Sequence, residues 1–381
     1  MKQRRMLQSL ARIRGNLRPR APATLGGQKR VGLRATLAYI ARVMKKRWWV
    51  ASISVTLCLA ASLPAQIRTL QQEDPSPGTL SRDLSDLQLE PARRIDLENA
   101  IKLRDYKRAE TILVEEVKRE PKSPRAAKVL ELAGGIFFLD GQYLNSAIAW
   151  KKAEAITPLD DRSRFTLAMA YIKLNRRDWA RPELDKLAAA QPQNPLYPYW
   201  LARLDYDAQN YMAAIARLQK VLELDPKMMR GYDALGLCYE HLGEFDEAIK
   251  NYNRAVALNR LQPKPSPWPH VDLAVSLISV NQLAEAEKNL REALNYDERL
   301  TQAHYQLGRV LEMRGEWQAA VAALNQAASL EPAYPEPHLL LGRIYHRLDQ
   351  PEKAKAEIAR FQELKKAAER TSQEKLSSPS N

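Results

Sequence analysis

Residues 229–262 read MRGYDALGLCYEHLGEFDEAIKNYNRAVALNRLQ, a segment of 34 residues whose landmarks are Leu235-Gly236, Tyr239, Gly243, Ala248, Tyr252 and Ala255. The small residue of its first half recurs upstream as Gly134, Ala168 and Ala202, with 34 residues between successive copies. Beyond the extra Pro263-Lys264-Pro265-Ser266 it resumes as Ala274, Gly308 and Gly342, again 34 apart. A second small position keeps phase at Ser146, Ala180, Ala214, Ala248, Ala286, Ala320 and Ala354. Four residues later stands a larger one each time: Trp150, Leu184, Leu218, Tyr252, Leu290, Leu324 and Ile358. A fixed period of this length marks stacked supersecondary units, each unable to bury its apolar face alone.

Seven units follow, at 127–160, 161–194, 195–228, 229–262, 267–300, 301–334 and 335–368. Pro158, Pro192, Pro226 and Pro332 mark unit ends, where a fixed φ and a missing N–H suit a turn. An eighth, degenerate unit at about 90–123 has Tyr106, Ala109 and Pro121 in its second half, and its changed outer face suits a cap. Long Ala/Leu/Glu/Lys stretches and only 14 glycines favour helix over sheet. The expected fold is all-α, an array of antiparallel helix hairpins over 90–368. Small residues at Gly236 and Ala248 are expected to let the two helices of a hairpin approach closely, with Tyr239 and Tyr252 filling the gap between successive hairpins.

The pattern resembles the tetratricopeptide-repeat family, most clearly in Tyr232, Leu235-Gly236, Tyr239, Gly243, Ala248, Tyr252 and Ala255, and again in Leu307-Gly308, Gly315, Ala320, Ala327 and Pro332. Asp205 stands where that family has tyrosine, and Asn281 and Asp349 replace the turn glycine. The resemblance implies a right-handed superhelical solenoid whose inner wall, built from the first helices, holds a peptide or a partner's helix. Its inward positions fall here on Phe165, Met169, Tyr199, Arg203, Tyr206, Asp233, Tyr305, Arg309 and Arg343. Arginine offers a rigid fork for carboxylates and tyrosine adds contact area, so an acidic segment is one expected ligand. The competing reading pairs Arg203 with Asp207 and Arg309 with Glu312 or Glu316 as ordinary helix-surface partners. Leu237, Val271, Val275, Ile278 and Leu339, also inward by this register, suit either docking of an apolar helix or plain packing.

The formal charge of +14 does not belong to the repeats. Residues 1–49 hold 14 Lys or Arg and no Asp or Glu, which leaves 45 basic and 45 acidic side chains over the other 332 residues. The repeat body therefore has no electrostatic case for binding nucleic acid. Two cysteines, Cys58 and Cys238, exclude a disulfide framework.

Residues 44–65 run from Lys45-Lys46-Arg47 through the largely apolar Trp48–Leu63 to Pro64-Ala65-Gln66, the order of a secretory signal cut after Ala65. The apolar run is 16 residues, against about 20 for a spanning helix, so an uncleaved inner-membrane anchor is the alternative. Lipid attachment at Cys58 is disfavoured by the bulky Leu57 before it. Residues 1–43 read as a misassigned start, a basic cytoplasmic tail or a transit segment. Residues 66–89 read as a flexible linker and 369–381 as a loose polar tail.

No nucleophile elbow, phosphate-cradling loop or His-Glu-x-x-His run is present. His270, His304 and His338 repeat one unit apart, but helices packed about 10 Å from one another cannot bring them to one zinc, which holds each nitrogen at about 2.1 Å. The expectation is a non-enzymatic protein with no cofactor and no metal: a scaffold or adaptor in the bacterial envelope, periplasmic or secreted, holding a protein or peptide that is acidic or helical. The capped ends favour a monomer. The alternative is a non-catalytic subunit or substrate presenter of an envelope transferase, protease, secretion or polysaccharide machine.

Overall fold

The computed structural model describes Leu84, Leu87 and residues 88–377, with side chains to residue 370. The extension 1–43, the signal or anchor 44–65 and most of the linker lie outside the described residues. Among the described residues there are sixteen α-helices and no strand. They pair as hairpins α1 (Pro91–Lys102) with α2 (Tyr106–Arg119), α3 (Pro124–Leu139) with α4 (Tyr143–Glu154), α5 (Asp161–Lys173) with α6 (Arg177–Ala190), and α7 (Leu196–Asp207) with α8 (Tyr211–Leu224). The array continues with α9 (Met229–His241) and α10 (Phe245–Asn259), α11 (Trp268–Ser279) and α12 (Leu283–Tyr296), α13 (Thr301–Met313) and α14 (Trp317–Leu330), then α15 (Glu336–Arg347) and α16 (Pro351–Ser377). Each helix packs on its neighbours in sequence, and from α3 onward first helices also touch the next first helix.

The small and large positions explain the hairpin. Ser146, Ala180, Ala214, Ala248, Ala286 and Ala320 are fully buried. A Cβ built on Gly134 would lie 2.7 Å from the Trp150 ring, and one on Gly236 would lie 2.5 Å from the Tyr252 ring. Tyr252 is thus seated first of all inside its own hairpin, over Gly236, which corrects the expectation that it fills the gap to the next one. The reason is the register: residue 252 lies on the face of α10 turned to α9, where only glycine leaves room for a six-membered ring.

Each turn from first to second helix ends on one residue of positive φ: Arg104, Gly141, Asn175, Gln209, Gly243, Asn281, Gly315 and Asp349. The next residue's N–H closes a bond to the carbonyl five residues back, as in Asn210 to Asp205 at 2.8 Å and Gln282 to Leu277 at 2.9 Å. This is the helix-stop motif in which a left-handed residue lets orphan carbonyls find donors. Asn281 and Asp349 therefore keep the geometry of the glycines they replace; short polar side chains tolerate that conformation best. Gln209, at φ +62°, has no such tolerance. The left-handed form costs a non-glycine residue about 1–2 kcal/mol, while glycine loses about 0.5–1 kcal/mol more chain entropy on folding. Gln209→Gly is accordingly expected to stabilise the protein by about 0.5 kcal/mol, read as a higher urea midpoint; a lower midpoint would show that the turn is unstrained.

Two corrections concern the ends. Leu84 and Leu87, assigned to a flexible linker, are buried with Leu97, Ile101, Ile112 and Leu113, and the Leu87 carbonyl accepts from Arg125 Nε at 2.9 Å. Two leucines here cover apolar surface that a terminal hairpin would otherwise leave to water. At the other end α16 continues through 369–377 instead of giving way to a loose tail. Good helix formers such as Glu369, Arg370, Gln373, Glu374 and Lys375 carry it on, and no proline or glycine interrupts it before Pro379. The four-residue insertion is pinned: Asn259, fully buried, donates to the Ser266 carbonyl at 2.7 Å and accepts from its N–H at 2.8 Å.

Candidate partner-binding face

The nine residues singled out from the sequence fall into three groups. Phe165 and Met169 lie on α5; Met169 is buried in the core, and Phe165 packs against it with its ring centroid 5.8 Å from Tyr197. Tyr199, Arg203 and Tyr206 on α7 come together with Asp233 on α9. Arg203 lies 5.9 Å from the Tyr206 ring centroid and within electrostatic reach of Tyr199 and Asp233. Tyr305 and Arg309 on α13 meet Arg343 on α15, well removed in sequence from the α7–α9 set.

Exposure separates these residues. Tyr199, Tyr206 and Tyr305 are 2%, 6% and 4% exposed, so they build the wall behind the face more than its surface. Arg203, Arg309 and Asp233 are half-buried and Arg343 is exposed. Two of the arginines already have partners: Arg309 donates to Gln306 at 2.7 Å and Arg343 pairs with Glu312 at 2.7 Å. The pairings expected from helix spacing are not the ones found, because Asp207 is taken by Arg177 at 3.4 Å and Glu316 by Arg314 at 2.8 Å. Val271, Val275, Ile278 and Leu237 are buried, between 1% and 8% exposed, so the apolar stretch on α11 packs instead of presenting a surface.

Reading inward positions from the sequence passes over the residues opposite Asp233. Asp272 and Ser276 lie one turn apart on α11, on the side that meets α9: Ser276 donates to Glu240 Oε2 at 2.8 Å, and the Tyr252 hydroxyl donates to the same oxygen at 3.2 Å. Asp233 and Glu240 are seven residues apart on α9, hence on one face. Oδ1 of Asp233 and Oδ2 of Asp272 are buried with no hydrogen-bond partner. Burial, opposed by Arg203 and assisted by Glu240, pushes the Asp233 carboxyl up to about 6. Burial and the charges of Asp233 and Glu240 push Asp272 well above the usual carboxylate range. The sequence signal was the pair Asp233 and Glu240 at a spacing of two helical turns; Asp272 sits one position off the expected register.

Elsewhere buried carboxylates are matched by cations. Asp205, the residue standing where tyrosine is usual, is held by Arg181 at 2.6 Å and Arg217 at 2.7 Å. Glu183 takes Arg164 at 2.6 Å and Lys186 at 3.2 Å. The histidines are paired within their units: His270 with Asn289 at 2.9 Å, His304 with the Glu298 carbonyl at 2.9 Å and His338 with Glu357 at 2.7 Å. Among the described residues no three His, Cys, Asp or Glu side chains converge as metal ligands. Burial pushes the Cys238 thiol up to about 12, so it stays protonated and unreactive at neutral pH.

Residues 199–263 and 335–367 match family models described as tetratricopeptide repeat, and residues 313–349 match one described as TPR repeat. The hairpins are tetratricopeptide repeats. A solved tetratricopeptide-repeat protein from Parabacteroides merdae ATCC 43184 superposes with a TM-score of 0.53 at 17% identity, over 73% of this chain and 99% of that one, and the shared fold is an all-α superhelical repeat. The chain is 29% identical over 148 residues, 39% of its own length, to the cytochrome c-type biogenesis protein CycH of Rhizobium meliloti (strain 1021). It is 38% identical over 78 residues, 20% of its length, to anaphase-promoting complex subunit 3 of Dictyostelium discoideum. These matches span only 38% and 8% of the respective relatives. Among the described residues no helix of this tetratricopeptide array is long and apolar enough to cross a membrane.

Proposed function

We infer that the chain is a protein-binding scaffold of a bacterial envelope, holding a segment of a partner along the first-helix face of its repeats. The observation that carries this reading is the α7–α11 face, where Arg203, Asp233 and Asp272 are half-buried and two carboxylate oxygens have no partner within the chain. A face used only for packing would have satisfied them, as Asp205 and Glu183 are satisfied. The order of basic, apolar and small residues at 44–65 supports export, with retention as an inner-membrane anchor the alternative. The scaffold works without catalysis of its own in this reading.

A second reading, a non-catalytic subunit or substrate presenter of an envelope assembly machine, is favoured by the similarity to a protein of cytochrome c-type biogenesis. Crosslinking in the native host followed by mass spectrometry tests both. The scaffold reading expects crosslinks from α7, α9 and α11 to a second protein, and a mature terminus at Gln66 where the signal is cleaved. A partner carrying a catalytic domain would select the second reading. Crosslinks confined to this chain, or enzymatic turnover by the purified protein alone, would overturn the scaffold.

A further inference from the structure

We propose that Asp233 and Asp272, between α9 and α11, form a receptor for a lysine or arginine side chain on a basic segment of a protein partner. The proposal rests on the scaffold reading and names the partner chemistry of its face. It reverses the sign that the arginines suggested in the sequence, since Arg309 and Arg343 are engaged by Gln306 and Glu312.

The argument begins with a rule this molecule follows elsewhere. Glu116, 1% exposed, is surrounded by Arg93, Arg119 and Arg125; Asp205 has two arginines; Glu183 has an arginine and a lysine. Removing a carboxylate from water is costly unless a cation and hydrogen bonds replace the lost hydration. Asp233 and Asp272 break the rule. Each has one buried oxygen without a partner, they lie within each other's field, and Glu240 adds a third negative charge to the same strip. Arg203, the cation whose field reaches Asp233, lies over the Tyr206 ring.

A second observation, independent of the acids, marks the same strip. Tyr206 is 6% exposed, and its hydroxyl has no hydrogen-bond partner although it lies within the field of Glu240. A buried hydroxyl can accept from an ammonium or guanidinium N–H. The two helical turns from Asp233 to Glu240 span about 10 Å, room for more than one basic side chain. Three carboxylates here do not converge as metal ligands, which leaves an organic cation, and a basic peptide supplies one with a chain long enough to run along the face.

Protonation supports the geometry. A cation binds the ionised pair, and the groups that set its charge are Arg203 and Tyr206 on α7, Glu240 on α9, Tyr252 on α10 and Asp272 on α11. With Asp233 titrating at about 6, binding should weaken as pH falls through that value.

The test uses the full chain with fluorescein-labelled hexalysine, hexaglutamate of equal length, and spermidine as competitor, read by fluorescence anisotropy. Because the chain carries +14, general electrostatics favour hexaglutamate, and capture of hexalysine has to come from a local site. The expected result is hexalysine binding that falls about 10-fold or more in the doubly substituted Asp233→Asn, Asp272→Asn protein. Binding should also fall several-fold between about pH 7.5 and about pH 5 in the natural chain but not in that variant. Tyr206→Phe should give a smaller loss. Asn is isosteric and removes a repulsion, so circular dichroism and melting should show the double variant folded. Absence of hexalysine binding, equal binding by the double variant, or displacement by spermidine at peptide concentrations would overturn the proposal. None of these results touches the scaffold reading, which fails only if crosslinking finds no partner.

Discussion

Replacing Glu116 by alanine is expected to free the first hairpin, α1–α2, from the rest of the array at a cost of about 3 kcal/mol. Glu116 on α2 receives Arg93 of α1 at 3.0 Å, Arg119 of its own helix at 3.0 Å, and Arg125 at the start of α3. It therefore ties three helices through one buried carboxylate. Burial alone would raise its pKa, but the hydrogen bond from Arg125 and the charges of Arg119, Arg125 and Arg93 outweigh that and hold it below the usual carboxylate range. Loss of the acid leaves three guanidiniums without a counter-ion. Their partial exposure, from 21% to 51%, lets water take up part of the loss and keeps the cost at the low end of the range for broken buried pairs.

The damage should stay local. The apolar cluster around Leu97, Leu113 and Ile136 is separate from the cluster that runs from Leu130 to Ile344. In a linear array, stability is the sum of unit and neighbour terms, so a terminal unit can open alone. Amide exchange in residues 91–119 should accelerate while α7 to α14 keep their protection. A depressed carboxylate contributes stability above its unfolded pKa, about 4.3, and loses it as pH falls through the folded value. The natural chain should thus fray at this end in acid, and the variant should gain no further fraying. Equal exchange of α1 and α2 in both proteins at neutral pH would show that the apolar contacts of Leu84, Leu87 and Leu97 hold the hairpin without the ion cluster.

The sequence carried the repeat because steric matching leaves a one-letter trace. Glycine at 134 and 236 faces the rings of Trp150 and Tyr252, and the period of those letters is the period of the hairpins. Turns were less legible. Arg104 and Gln209 adopt the left-handed form with no turn propensity of their own, held by the hydrogen bonds of the helix stop. The ion clusters left no trace, since Glu116 with Arg93 and Asp205 with Arg181 are 23 and 24 residues apart, and only packing decides which helix faces which. At the candidate face, the tyrosines and Arg203 were found by position, yet burial turned the tyrosines into wall. Asp272 escaped because α11 turns its sixth position, not its fifth, toward α9. Val271, the fifth, goes to the core.

The pairing of small with large residues makes the remaining prediction conditional on a neighbour. Gly236→Ala should destabilise the array by about 2–3 kcal/mol, since the new methyl would meet the Tyr252 ring at 2.5 to 2.8 Å. That ring is fully buried and its hydroxyl is tied to Glu240, so it has no free direction to yield. Other units of the same chain show the tolerated combination: Ala168, Ala202 and Ala274 stand opposite Leu184, Leu218 and Leu290, all of them buried. In a Tyr252→Leu background, Gly236→Ala should therefore cost about 1 kcal/mol or less, giving a coupling of about 1–2 kcal/mol in a double-mutant cycle read by urea unfolding. Additive losses would mean that the glycine is needed for the backbone itself and not for the ring, and the steric account of the 34-residue period would lose its support at the unit where the pattern is clearest.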